Sequence, residues 1–252
     1  MDTLTKLATL PESDATVISS SLIALKRFNA PLLDYIFRDF FSDKSSANVD
    51  SNLLEKQFNV LSLLFDHPDS IIFSKSRLTN ILTNLLHHNT FAAPTSSHLD
   101  QQVVIAALNA IGSAGLSAEL GRVIPFTNDS EKTVRLEAMN TLASLNTKSS
   151  REALESALQK APLSTLVSLG QSRKSKPLHF SKKFIDRLAD RVKTSELAEL
   201  KDIIFSLPRK PKNKLFERLL ELDISDSQYN VLFDLCSIGT LSLSDFNNTI
   251  DQ

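Results

Sequence analysis

The chain has 252 residues, 42% hydrophobic and 23% charged, with a formal net charge of −1 at pH 7, a balance that excludes the low-hydropathy, high-charge composition of a disordered segment. Scarce glycine (five), absent tryptophan and abundant Leu, Ala, Lys and Glu favour helices over sheets. The single cysteine, Cys236, excludes an intrachain disulfide and a Cys-rich zinc site; among Val231, Leu232, Leu235 and Ile238 it reads as a buried structural thiol.

In chain order, Leu4, Leu7 and Leu10 predict a short leading helix ended by Pro11. Ser13 or Asp14 then caps a helix running to about Phe28. Pro31 opens a helix apolar almost all round (Leu32, Leu33, Tyr35, Ile36, Phe37, Phe40, Phe41), the pattern of a deeply buried element or of a contact surface. The Ser/Asp/Asn-rich run Ser42–Asn52 reads as a loop. Helices follow over about Leu53–Asp66, ended before Pro68, and about Ser74–His88. Asn89–Ser97 is a hinge candidate. Pro162 breaks the chain, Leu163–Leu169 forms a short helix, and Gly170–Pro177 is a second linker candidate. Four helices are predicted beyond it, Ser181–Val192, Ser195–Ser206, Lys212–Leu222 and Ser227–Cys236, with a tail helix from Ser242. The resulting segments are 1–88, 98–170 and 178–252, read as parts of one continuous stack. No apolar run approaches the roughly 20 residues that span a bilayer. The start Met1-Asp-Thr-Leu-Thr-Lys has no charged-then-apolar signal design. A soluble, cytoplasmic or otherwise intracellular protein without membrane insertion is expected.

The most regular stretch is Asp129–Leu145. Val134, Ala138, Leu142 and Leu145 fall on one stripe of a 3.6-residue period. Asp129 and Ser130 are suited to cap it, and Glu131 adds negative charge at the first turn. About 31 residues upstream the pattern returns, Val103, Ala107, Leu108, Asn109, Ile111 and Ser113 matching Val134, Ala138, Met139, Asn140, Leu142 and Ser144. Each copy leads into a second helix, Ser117–Phe126 and Ser149–Lys160. A helix pair repeated at fixed period cannot bury its apolar face alone, so it stacks on its neighbours.

This pattern resembles the HEAT-like repeat family in its short-period, armadillo/HEAT-type form, over about 60 residues. The resemblance implies an all-α solenoid of antiparallel helix pairs. It also implies structural roles for Asp129 and Arg135, because the family's Asp and Arg form a ladder between repeats. The upstream copy has Val104 where the Arg would stand, which breaks the ladder there. A compact chain of this length has a radius of gyration of about 18 Å, and a solenoid exceeds it.

Charge is unevenly distributed. Arg173–Arg218 holds 14 Lys and Arg against 6 Asp and Glu, whereas Leu219–Gln252 holds six acids and no Lys or Arg. Lys182 and Lys183 begin the helix capped by Ser181. Arg209, Lys210, Lys212 and Lys214 surround the start of the helix two elements later, and Arg173, Lys174 and Lys176 lie in the loop before the first. In a stack of antiparallel pairs those two helices are parallel, so their N-termini share one edge with these nine cations: an anion or nucleic-acid site, directed at phosphate because aromatics are sparse. Against it stands a salt-bridged solvated face, Lys183 with Asp186 and Arg187 with Asp190.

No catalytic constellation accompanies the repeats. His67, His87, His88 and His98 lack the spacing and carboxylates of a metal site, phosphate-loop and nucleophile-elbow patterns are absent, and no cofactor is expected. Gly112–Gly115 reads as a helix-ending turn. The missing His-Glu pairs count against the iron-binding hydroxylases built on such repeats. Two other enzyme classes of similar fold, bilin lyases and helical-repeat DNA glycosylases, are left as outside readings. The expected function is a non-enzymatic module or scaffold with a protein partner; nucleic-acid binding through the 173–214 edge is the alternative.

Overall fold

A computed structural model of the protein describes residues 14–28, 36–37, 40–41, 51–66, 74–88, 101–172, 179–192, 197–207, 209–222 and 224–237. These hold helices and no strand: α1 Ala15–Phe28, α2 Ser51–Asp66, α3 Lys75–His88, α4 Gln101–Ala114, α5 Leu120–Val123, α6 Lys132–Leu145, α7 Lys148–Lys160, α8 Leu163–Ser172, α9 Lys182–Val192, α10 Leu197–Ser206, α11 Arg209–Glu221 and α12 Asp226–Ser237. The chain is all-α over the described residues. The predicted leading helix, the tail helix from Ser242, the Asn89–Ser97 hinge, most of the Pro31 helix and the side chain of Cys236 lie outside them. Two compact units divide the chain, Met1–Thr147 and Lys148–Gln252, with the boundary inside the 98–170 stretch.

In the first unit α1 packs on α2, α2 on α4 and α4 on α6, each helix meeting the next member of one row; α3 touches α2 and α4. The two stretches matched in the sequence, in α4 and α6, meet here. Val103, Ala107, Leu108 and Ile111 of α4, and Val134, Ala138, Leu142 and Leu145 of α6, are all buried. Leu108 lies opposite Thr141 and Gly112 opposite Ser144, so α4 and α6 run parallel. An ideal Cβ on Gly112 would stand 3.4 Å from Ser144 Cβ, so the missing side chain lets the two helices close. Thr141, buried in this seam, has its hydroxyl 2.9 Å from the carbonyls of Leu108 and Glu137. Thr141→Val keeps the shape and removes the donor. It should cost about 1 kcal/mol, the usual net value of one such bond, seen as a lower urea midpoint at unchanged slope.

Helix ends follow local chemistry. α4 stops at Gly115 (φ +66°); Leu116 N–H bonds to Ile111 O at 3.1 Å and Gly115 N–H to Gly112 O at 3.2 Å, the paired bonds of a Schellman end. The expected helix-ending turn is present. α6 ends on Asn146 at φ 49°, a left-handed position that Asn tolerates better than most. At its start the structure differs from the expected cap. The residue preceding α6 is Glu131, without a side-chain cap bond, while Asp129 Oδ1 accepts the Glu131 N–H at 2.9 Å. Arg135 Nη1 donates to the backbone carbonyls of Asp129 (2.6 Å) and Ser130 (2.7 Å). Both residues thus clamp their own loop. The predicted helix Ser117–Phe126 is broken into α5 between two 3₁₀ turns, Ser117–Glu119 and Ile124–Asn128.

In the second unit α7 packs on α9 and α9 on α11, while α8 packs on α10 and α10 on α12. α9 is the most sharply two-faced helix: Phe184, Ile185, Leu188, Ala189 and Val192 are buried and charged residues cover the rest. Two predicted boundaries move. α8 runs through Gly170 to Ser172, three residues into the predicted linker. α11 starts at Arg209, not Lys212, with Pro211 in its first turn, where a missing N–H costs no intrahelical bond.

Candidate functional site

Lys182 and Lys183 occupy the first turn of α9, and Arg209, Lys210, Lys212 and Lys214 the first two turns of α11. Arg173, Lys174 and Lys176 lie outside the described residues. Asp186 Oδ1 stands 3.6 Å from Arg218 Nε across the seam. Val192 O at the end of α9 accepts from Gln228 Nε2 at 3.5 Å, in the first turn of α12 just after α11, so the C-terminal ends of α9 and α11 lie together, with Lys182 and Lys214 lining the same groove. The helices are therefore parallel. The groove has a volume of about 440 Å³ and is completed by Ile185, Glu217 and Glu221. Lys182, Lys183, Arg209, Lys210 and Lys214 are exposed. Lys212 is half-buried, and burial lowers its ammonium below the ordinary 10.5.

Carboxylates are distributed among these cations. Ser181 caps α9, its Oγ accepting the Phe184 N–H at 3.1 Å. The Ser181 N–H and Oγ–H in turn donate to the two oxygens of Glu155 on α7, at 2.5 and 2.7 Å. An acid of the protein itself thus occupies the α9 N-terminus that an external anion would otherwise approach. Arg218 Nη1 donates to Glu221 Oε2 at 2.6 Å. That bond raises the guanidinium pKa further, outweighing the opposite effect of desolvation, with the charges of Glu221, Asp186 and Asp190 adding to it. Its Nε is sealed from solvent and has no hydrogen-bond partner among the described residues. The ion pairs expected within α9 are replaced by contacts between helices: Asp186 faces Arg218, and Arg187 Nη1 donates to Gln159 Oε1 of α7 at 2.5 Å.

Besides Asp186, which the sequence offers to Lys183, the residues that counting cations missed are therefore Glu155, Glu217, Arg218 and Glu221. A signal for three of them existed. Lys214, Glu217, Arg218 and Glu221 fall at i, i+3, i+4 and i+7, one face of a helix. Glu155 had none, because its partner lies 26 residues away.

A second groove, of about 420 Å³, lies in the first unit between Phe37 and Phe41 and the α3 residues Ser76, Arg77, Asn80, Ile81 and Asn84. Phe37 is buried and Phe40 and Phe41 half-buried; the last two meet edge to face at 4.8 Å, and the Arg77 guanidinium lies 5.0 Å over the Phe37 ring. His87 Nδ1 lies 2.9 Å from Arg122 Nη2. Among the described residues no group of three or more His, Cys, Asp or Glu is placed to hold a metal ion, and no helix is long and apolar enough to cross a membrane. No family model, curated protein or solved structure matches the chain.

Proposed function

We propose that this chain is a non-enzymatic protein-binding module built from HEAT-like helix pairs, and that the α9–α11 edge contributes to binding. The packing of α2 on α4, α4 on α6, α7 on α9, α9 on α11, α8 on α10 and α10 on α12, with α4 and α6 parallel, supports the repeat reading. The observation that carries the choice of partner is the interleaving of charge. Glu155, Asp186, Glu217 and Glu221 stand among the cations of that edge. A polyanion docked there meets carboxylates lining the same groove as its lysines, at a Coulomb cost that opposes the gain. A protein segment of mixed charge meets complementary groups throughout.

The test uses a variant with Lys182, Lys183, Arg209, Lys210, Lys212 and Lys214 all changed to Ser, and fluorescently labelled single- and double-stranded oligonucleotides. Wild type should bind the oligonucleotides no better than about 10⁻⁴–10⁻⁶ M at physiological salt, the non-specific level, while partners captured from lysate should survive nuclease. Oligonucleotide affinity that falls about 10³–10⁵-fold between 50 and 200 mM salt, and disappears in the folded variant, would establish the phosphate-binding alternative instead.

A further inference from the structure

The sign of the charge reverses along the α9–α11 groove. Lys182 and Lys214, each one turn before the Asp186–Arg218 pair, line the end nearer the helix N-termini. One turn on, Asp186 and Arg218 neutralise each other across the seam at 3.6 Å, with Glu221 on the other side of the guanidinium. Glu217 and Glu221 then leave the far end acidic, and Ile185 supplies apolar floor between the two ends. From Lys214 to Glu221 the helix advances seven residues, about 10.5 Å at 1.5 Å per residue. Three residues of an extended chain span about 10 Å at 3.3–3.4 Å each. A volume of about 440 Å³ suits a few side chains and their backbone, not a second helix about 10 Å across.

We propose that this groove recognises an extended segment of a partner protein carrying one acidic and one basic side chain three residues apart. The acid lies between Lys182 and Lys214, the base against Glu221 with Glu217 on its near side, and the intervening residues cover Ile185 and the aliphatic stem of Arg218. The Asp186–Arg218 pair stays closed beneath the segment and separates the two half-sites. The recognition is electrostatic and depends on spacing; charge alone sets no chain direction, so acid-first and base-first segments both fit. The inference rests on the protein-binding reading above and assigns its chemistry at one site.

The experiment immobilises the full chain and offers four pools of nine-residue peptides with randomised flanks, the bound fraction being read by mass spectrometry. The pools carry Glu-Xaa-Xaa-Arg, adjacent Glu-Arg, Glu-Xaa-Xaa-Glu and Arg-Xaa-Xaa-Arg. Wild type should retain the first at least tenfold over the others. Lys182→Glu with Lys214→Glu makes the groove acidic throughout and should transfer the preference to Arg-Xaa-Xaa-Arg. Glu217→Lys with Glu221→Lys should transfer it to Glu-Xaa-Xaa-Glu. All four side chains are exposed, so circular dichroism should show both variants folded, and a reversal of preference is something a merely weakened fold does not produce. Equal retention of all pools by wild type, or a preference that neither swap alters, overturns the groove while leaving protein binding elsewhere intact. Retention of a 20-nucleotide oligonucleotide in place of every peptide, lost at 200 mM salt, overturns both readings.

Discussion

Gly170→Ala should destabilise the second unit by about 2 kcal/mol, although helix propensity alone predicts a gain of up to about 1 kcal/mol for the same change. Gly170 sits inside α8. A Cβ built there would stand 2.6 Å from Ser206 Cβ and 2.9 Å from Ser206 C, and closer still to the Ser206 carbonyl oxygen. Real Cβ contacts essentially never fall below 3.0 Å, and the obstacle is mostly backbone, not the end of a flexible side chain. α10 is pinned at this point by buried Ile203, Ile204 and Leu207. Relief therefore means separating α8 from α10, and overpacking of this kind costs about 1–3 kcal/mol. Urea titration or calorimetry of the full chain, followed in the transition of Lys148–Gln252, reads the effect. The control is Gly121→Ala in α5, where nothing lies within 4 Å of the added carbon; it should be neutral or stabilising by up to about 1 kcal/mol. A Gly170→Ala protein as stable as wild type would mean that α8 and α10 do not approach this closely.

Arg191→Ala should cost about 2–3 kcal/mol. The last carbonyls of a helix have no partner within it, and α7 ends against α9, not in open solvent. Arg191 Nη1 donates to Leu158 O at 2.9 Å and, more weakly, to Gln159 O at 3.4 Å, and Nη2 donates to Ala161 O at 2.7 Å. Its positive charge also suits the negative end of the α7 dipole. Bonds to a charged donor contribute about 1.5–3 kcal/mol each when buried; Arg191 is half-buried, so solvent screening reduces the sum. Arg191→Lys should recover less than half of the loss, because one ammonium cannot reproduce the planar fork across three carbonyls. The melting temperatures of the three proteins test this; equal values for Arg191→Ala and wild type would remove Arg191 from the account. The first unit uses the same device. Arg122 donates to Leu86 O at 3.1 Å near the end of α3, while Glu119 holds its Nε at 2.8 Å.

These two residues also mark how far the sequence could be read. The helices, their buried stripes and several of their ends are encoded between residues at most a few positions apart. Val134, Ala138, Leu142 and Leu145 announce the buried face of α6, Ser181 the start of α9 and Gly115 the end of α4. Gly170 looked like the start of a linker because glycine marks turns more often than helix crossings; its partner, Ser206, is 36 positions away. Arg191 looked like another cation of a basic region because the carbonyls it serves belong to a different helix.

The candidate site divides in the same way. The sequence by itself determined the helical class, the buried apolar stripes, and the gathering of cations at the starts of α9 and α11, all of which follow from composition, 3.6-residue periodicity and capping chemistry. Only the tertiary structure decided that Glu155 reaches the α9 N-terminus, that Asp186 faces Arg218 instead of Lys183, and that Glu217 and Glu221 turn the basic edge into a groove of two signs. Local periodicity fixes which residues share a face, but the axial offset between two packed helices is set by the sizes of all the side chains in the seam. A shift of one turn, 5.4 Å, would have given every charge on that edge a different neighbour.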